Sequence, residues 1–243
     1  MRKFVDLHLR APIKDLDQVE RMVRRSSELG YALVGILLPP NIMRSQINQL
    51  RHICNDAYIE LVPRVNFSPK TPSELLHDLR RFRRKFEVIS VTCTSKGVAR
   101  QAAKDRRVDL LHFSATDLRK RFFDRAEAEL ASKALSSLEI EMAPLLFLTG
   151  FSRIRLLSRL RREVAIAERF KVPITMSSGA TNEYFLRSPH DYAALATLFD
   201  MSISSALRAL SEDPVAMVER NREKLSPNYV APGIRVVGMK SGA

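Results

Sequence analysis

The sequence predicts an α/β protein, a TIM-like (β/α) barrel of about seven parallel strands with extra helices towards its C-terminus. Three observations lead there. Apolar runs of strand length recur along the 243-residue chain. Amphipathic helical segments fall between them. Successive runs start roughly 20–35 residues apart, room for one helix and two loops, as parallel βαβ units require. Alternation in that order argues for a parallel sheet closed, or nearly closed, by helices.

The strand candidates, in order, are KFVDLHL, YALVGILL, IELVPRV, EVISVTC, VDLLHF, LEIEMA and VPITMS. Between the first two, DLDQVERMVRRSSELG places Leu16, Val19, Met22, Val23 and Leu29 on one face and stops at Gly30. After the turn-forming SPKTP, SELLHDLRRFRRKF repeats the pattern, with Phe82 and Phe86 directed at the core. FSRIRLLSRLRREVAIAERF is the longest helix, with Ile154, Leu157, Leu160, Val164 and Ala167 facing inward. Beyond the seventh strand, SPHDYAALATLFDM, SISSALRAL and DPVAMVERNREKL all read as helices. Asp213 is placed to cap the last, and Pro214 suits its first turn. No eighth strand is visible, so the barrel is expected to be incomplete or closed by a weak one. Nothing reads as a repeat or a linker. Residues 1–225 are expected to form one barrel domain, and residues 226–243, with Pro227, Pro232 and several glycines, an extended or flexible tail.

Charge narrows the function. Forty Lys+Arg against 27 Asp+Glu give a formal +13, which favours a polyanionic partner, nucleic acid or an anionic membrane. The apolar stretch LVGILLPP falls far short of the ~20 residues of a spanning helix, and the N-terminus lacks a signal-peptide core. Cys54 and Cys93 have no metal-ligand spacing and suit a reducing compartment. A cytoplasmic protein with a nucleic-acid partner and no membrane contact is the expectation.

Barrels gather their functional groups at the C-terminal ends of the strands. Those ends offer Asp6 and His8, Pro39 and Asn41, Arg64 and Asn66, Thr94 to Lys96, His112 to Asp117, Glu141, and Ser177 to Gly179. A metal site needs several converging His and Asp ligands. Of five histidines, His52, His77 and His190 belong to helical segments, so Asp6, His8, His112 and Asp117 make a thin set. Two residues beyond His8 stands Arg10, a permanent cation that cannot ligate a metal. No nucleophile elbow or phosphate-binding glycine loop is present. The turn Ser177-Ser178-Gly179-Ala180 can present amides and hydroxyls to a phosphate, or be a plain tight turn. Basic residues are more abundant. Lys96 and Arg100 follow the fourth strand, Arg119 and Arg125 the fifth, and Arg187 the seventh; Arg155, Arg159 and Arg162 form a stripe at i, i+4 and i+7. The run RRFRRKF reads as solvated barrel exterior.

The segment ITMSSGATNEYFLRSPHDYAALATLFDM resembles the C-terminal signature of the archaeal ribonuclease P protein component 3 family, the counterpart of the eukaryotic thirty-kilodalton RNase P subunit. VERNREKL with PGIRVV is similar to the family's ending, VDLLHF and LEIEMAPLL to its middle strands, and FVDLHLR to its opening. The resemblance implies a barrel related to the PHP phosphoesterases without a competent metal centre. Those enzymes usually carry a second histidine where this chain has Arg10, so Asp6, His8 and His112 would be vestiges. It also implies a non-catalytic subunit of the endoribonuclease that removes the 5′ leader of precursor tRNA, with no cofactor of its own. Catalysis would belong to the RNase P RNA and its Mg²⁺, and the partners would be that RNA, a Pop5-like protein and other RNase P proteins. Carried onto this chain, Lys96, Arg100, Arg119, Arg125, Ser177, Ser178 and Arg187 are expected to contact RNA or shape the barrel mouth. Phe147 and Phe151 are expected to be exposed anchors for the protein partner. The competing expectations are a PHP-type metal-dependent phosphoesterase and a barrel enzyme holding a phosphorylated metabolite at Ser177–Gly179.

Overall fold

The computed structural model describes residues 2–115, 117–231 and 234–235. Seven parallel strands run in chain order around one sheet: β1 Phe4–Leu9, β2 Tyr31–Leu37, β3 Glu60–Phe67, β4 Val88–Thr92, β5 Leu110–His112, β6 Ser137–Glu141 and β7 Ile174–Ser177. The helices between them are α1 Leu16–Glu28, α2 Arg44–Asp56, α3 Pro72–Phe82, α4 Lys96–Lys104 and α5 Arg125–Ala134, with α6 Ala143–Phe147 and α7 Gly150–Arg169 joining β6 to β7. α8 Pro189–Ala196, α9 Ile203–Ala209 and α10 Glu212–Leu225 follow.

Local chemistry sets the helix ends. Asp15 accepts from the Gln18 N–H and opens α1, whose Val19, Met22, Val23 and Ser26 are buried. Thr71 does the same for α3, with Pro72 in its first turn. That helix stops at Phe82, earlier than its pattern suggests. Arg83 turns back to donate to the Phe86 carbonyl at 3.0 Å, and Phe86 reaches the core from outside the helix. The buried face of α7 is also rotated from expectation: Leu156, Leu160, Glu163, Val164 and Ala167 are buried, while Ile154 is 62 % exposed. Glu163 is drawn inward by Arg121, which turns Ile154 out. α10 begins at Glu212, after Ser211, so Asp213 lies in its first turn instead of capping it.

No eighth strand is needed for closure. Leu9 and Ala180 form a parallel bridge just past β7, and the Arg10 N–H donates to the Ala180 carbonyl at 2.8 Å. At the other end the Val5 N–H donates to the Leu210 carbonyl at 2.8 Å. Met217 and Val218 of α10 then pack with Val5, Leu7, Leu33, Val62, Val88 and Leu110, plugging that end of the barrel. The larger core lies between the sheet and the helices. Gly35 of β2 touches β1 so closely that a Cβ there would sit 2.4 Å from the Leu7 carbonyl oxygen.

Tyr229–Ala231 pairs antiparallel with Ile234–Arg235 in a short ribbon. The remainder of the predicted tail, 232–233 and 236–243, lies outside the described residues. Among the described residues no helix is long and apolar enough to cross a membrane.

Candidate functional site

Above the apolar plug, the interior of the barrel turns polar. Arg64 of β3 and Glu139 of β6 are both fully buried and meet in a two-pronged pair, Nη1 with Oε1 and Nη2 donating to Oε2 at 2.7 Å. Arg64 Nη1 also donates to the Leu7 carbonyl at 2.9 Å, and the Ser177 hydroxyl donates to Glu139 Oε1 at 2.8 Å. One layer higher, His8 Nδ1 lies 2.9 Å from Glu141 Oε1 and 3.4 Å from Glu139 Oε1. His112 Nδ1 lies 3.5 Å from Glu139 Oε2. Arg10 Nη2 contacts Glu141 Oε1, and its Nε donates to His8 Nε2 at 3.4 Å. Burial by itself raises both carboxyls. Arg64 and His8 nevertheless hold Glu139 well below the ordinary range, and His8, His112 and Arg10 hold Glu141 down to about 2.

This donor set does not fit a metal. The carboxylates that face His8 and His112 are already bound by the guanidinium groups of Arg64 and Arg10. Asp6 belongs to a different structure: its Oδ1 accepts from the Ser178 N–H at 2.9 Å and the His8 N–H at 3.1 Å, clamping β1 to the turn after β7. Burial raises its carboxyl, against the pull of the Ser178 donors. Asp117 caps a helical turn at Leu118–Lys120 and pairs with Lys120 at 3.1 Å. Among the described residues no group of three or more His, Cys, Asp or Glu is arranged to hold a metal ion. The sequence reading missed Glu139 as a partner, although the alternation Glu139-Ile140-Glu141 within a strand was the signal that both carboxylates face one way.

The serines of the predicted phosphate turn are buried. Ser177 and Ser178 are inaccessible, and the Ser178 hydroxyl donates to the His8 carbonyl at 3.2 Å while accepting from the Ala180 N–H at 3.1 Å. Both shape the barrel mouth and neither can reach a phosphate in solvent. Above them opens a cavity of about 570 Å³, lined by Arg10, Asn66, His112, Ser114, Phe147 and Phe185 among others. Arg187 stands apart, with its Nη1 donating to the Tyr184 and Leu186 carbonyls at 2.7 Å each.

The other predicted cations do converge, on the flank of the barrel. Lys96 and Arg119 line a cleft of about 260 Å³ with Arg159 and Arg162 of α7. Its wall includes the buried pair of Arg121 and Glu163, in which Nε donates to Oε1 at 3.1 Å. Arg121 also donates to the Phe113 carbonyl at 2.8 Å, so it is a structural cation. A second groove, of about 500 Å³, continues along Arg119, Arg155 and Arg159, and a third, of about 700 Å³, along Arg125, Arg162 and Arg169. Arg125 pairs with Glu129 at 2.6 Å, Lys96 lies 3.8 Å from Asp124, and Arg100 lies 3.4 Å from Glu127. Arg155, Arg159 and Arg162 have no ion pair among the described residues. Their i, i+4, i+7 spacing was the sequence signal for this surface, and the fold sets it beside Arg119.

A family model described as RNase P subunit p30 matches residues 3–226 of this chain. The chain belongs to the RNase P subunit p30 family. This p30-family chain is 29% identical over 235 residues to ribonuclease P protein component 3 of Methanosarcina mazei, covering 97% of this chain and 96% of that protein. It is 28% identical over 243 residues to the protein of the same name from Methanothermobacter thermautotrophicus, with 98% and 96% covered. In three dimensions it superposes on a chain of an archaeal ribonuclease P with mature tRNA, determined by cryo-EM, with a TM-score of 0.81 at 20% identity, covering 98% of this chain and all of that one. Ochratoxinase of A. niger shares the barrel at a TM-score of 0.60 and 12% identity, covering 90% of this chain and 71% of that enzyme. The p30-family chain is a protein subunit of ribonuclease P, a component of a tRNA-processing holoenzyme.

Proposed function

We propose that this subunit is non-catalytic and presents the flank around α7 to the RNase P RNA. Lys96, Arg119 and Arg125, with Arg155, Arg159 and Arg162, neutralise backbone phosphates there, and Arg100 borders the same surface. The observation that carries this reading is the run of guanidinium groups along α7 with no ion pair among the described residues, aligned with Arg119 over adjoining grooves. A carboxylate network already bound by Arg10 and Arg64 supports leaving the chemistry to the RNA and its Mg²⁺, with no cofactor held by the chain. A Pop5-like protein and other RNase P proteins complete the particle in the cytoplasm, and precursor tRNA is its substrate. Phe147, 48 % exposed, and Phe151, 82 % exposed, fit a protein contact beside the barrel mouth.

The test is cleavage of labelled precursor tRNA in millimolar Mg²⁺. Reactions contain the subunit alone, the subunit with its Pop5-like partner, or both with the RNase P RNA. Cleavage at the mature 5′ end is expected only with the RNA, and faster with the protein pair. Cleavage by the protein alone in manganese, lost in His8→Ala, would sink the non-catalytic reading and make this chain a metal-dependent phosphoesterase.

A further inference from the structure

The cavity at the barrel mouth plays no part in the α7 flank, yet it is built like a ligand site. Its volume of about 570 Å³ suits one small molecule, or one residue of a polymer. One side is aromatic. Phe147, at the end of α6 and 48 % exposed, meets Phe185 edge to face, with ring centroids 5.9 Å apart. The opposite side is polar. Strands β3 and β4 lie across the barrel from β6 and β7, and they bring Asn66 and Thr92 to the wall. The Asn66 amide donates to the Thr92 hydroxyl at 3.0 Å, and that hydroxyl lies 3.3 Å from Asn66 Oδ1. A primary amide has two N–H donors and two lone pairs, so one of each remains for a ligand. Arg10 stands at the rim, its side chain 39 % exposed. Its Nε and Nη2 face His8 and Glu141, which leaves Nη1 with no hydrogen bond among the described residues.

An aromatic wall facing a donor–acceptor edge fits a nucleobase. Unstacked bases lie on aromatic rings and are read through the hydrogen bonds of their edges. Charge points the same way. Glu141 lines the wall, so an anion driven to the floor would meet a carboxylate, whereas a neutral base would not. Arg10, at the rim, can take the phosphate. Only Leu148 and Thr149 separate α6 from α7, so the rim adjoins the helix that carries the flank arginines. We propose that the mouth cavity binds one unpaired nucleotide, with its base against Phe147 and the Asn66–Thr92 edge and its phosphate at Arg10. The nucleotide is either a residue of a bound RNA or a free nucleoside monophosphate. The first branch rests on the RNA-binding reading above, and the second does not.

The test uses the full chain with Phe147→Ala, at the rim, and Asn66→Ala, inside the cavity. The RNase P RNA is titrated at several salt concentrations, and AMP, GMP, CMP, UMP and inorganic phosphate are each tested by equilibrium dialysis. If RNA supplies the nucleotide, Phe147→Ala should bind it about tenfold more weakly, the loss expected for one stacked base. Asn66→Ala should bind it about fivefold more weakly. The slope of log K against log salt should not change, because neither side chain neutralises a phosphate. If a free nucleotide fills the cavity, wild type should bind at least one of the four saturably, both variants should lose it, and phosphate alone should not compete. Either result supports the site and says which source fills it. Loss of RNA affinity in Phe147→Ala but not in Asn66→Ala would put the base outside the cavity and overturn the proposal. Unchanged binding of RNA and of nucleotides would overturn it too. If Phe147→Ala then failed to bind the Pop5-like partner, the cavity would take a protein side chain instead. If wild-type protein binds no RNA, the RNA-binding reading fails, and dialysis still decides this site. Should Asn66→Ala melt well below wild type, Thr181→Trp, at an exposed rim position, narrows the opening and should give the same losses.

Discussion

Arg64 and Glu139 close on each other at the centre of the barrel, two opposite charges with no solvent access and two hydrogen bonds between them. The Leu7 carbonyl and the Ser177 hydroxyl take up further capacity of the pair. Breaking such a pair from one side leaves a buried charge uncompensated, so Arg64→Met alone should cost about 3–5 kcal/mol. Replacing both, as Arg64→Met with Glu139→Leu, should recover much of that loss. Urea unfolding of both single variants and the double closes the cycle. Additive losses would show that the two charges do not depend on each other.

Two glycines of this chain should respond to alanine in opposite directions. At Gly35 the new Cβ would fall 2.4 Å from the Leu7 oxygen, against backbone that cannot yield without opening the barrel, and Gly35→Ala should destabilise by about 3 kcal/mol. Gly97 lies in the first turn of α4, where a Cβ would meet only the Pro72 side chain at 3.7 Å. Gly97→Ala should therefore be neutral or stabilise by up to about 1 kcal/mol. Denaturation midpoints measure both, and equal effects would mean that close contact is not what selects glycine at position 35.

Ser178 separates a structural from a ligand-binding role. Its buried hydroxyl joins the His8 carbonyl to the Ala180 N–H, so Ser178→Ala should lower stability by about 1–3 kcal/mol. RNA affinity measured well below the melting temperature should stay within about twofold of wild type, since no phosphate reaches a buried hydroxyl. A large affinity loss in a well-folded variant would return the turn to the RNA surface.

Acid should unfold this protein through its inner carboxylates. Glu141 titrates at about 2 in the folded chain against an ordinary value of 4.5, so the unfolded chain takes up the proton first as pH falls. The stability it contributes is complete above pH 4.5 and is lost between there and pH 2. At about 1.4 kcal/mol per pKa unit the loss reaches about 3 kcal/mol. Calorimetric melting between pH 6 and pH 2.5 should show a steeper decline for wild type than for Glu141→Gln. Parallel curves would place the acid-sensitive groups elsewhere.

Most of the frame was legible along the chain. The seven apolar runs became the seven strands because a buried parallel strand must be apolar over nearly its whole length, a signal that survives without any partner in view. Arg10, two residues beyond His8, could be read in the same direct way as a cation that ligates no metal, since the chemistry of a guanidinium does not depend on its surroundings. The stripe of Arg155, Arg159 and Arg162 was visible because a helix turns with a fixed period. What local pattern misplaced was set by distant contacts. Ile154 faces solvent because Arg121 draws in Glu163, and α3 ends early because Arg83 finds the Phe86 carbonyl.

Sequence by itself thus determined the barrel class and the strong positive charge, both of them properties of residue type and spacing. Tertiary structure alone decided which charges are spent and which are free. Arg64 and Arg121 are neutralised inside, while Arg155 and Arg159 have no ion pair among the described residues, yet every arginine looks alike in sequence. It also decided that Ser177 and Ser178 are buried, with their hydroxyls hydrogen-bonded inside the barrel. Pairing and burial arise between residues that only the closed sheet brings together, such as Asp6 with Ser178 and Arg64 with Glu139, and no local period encodes them.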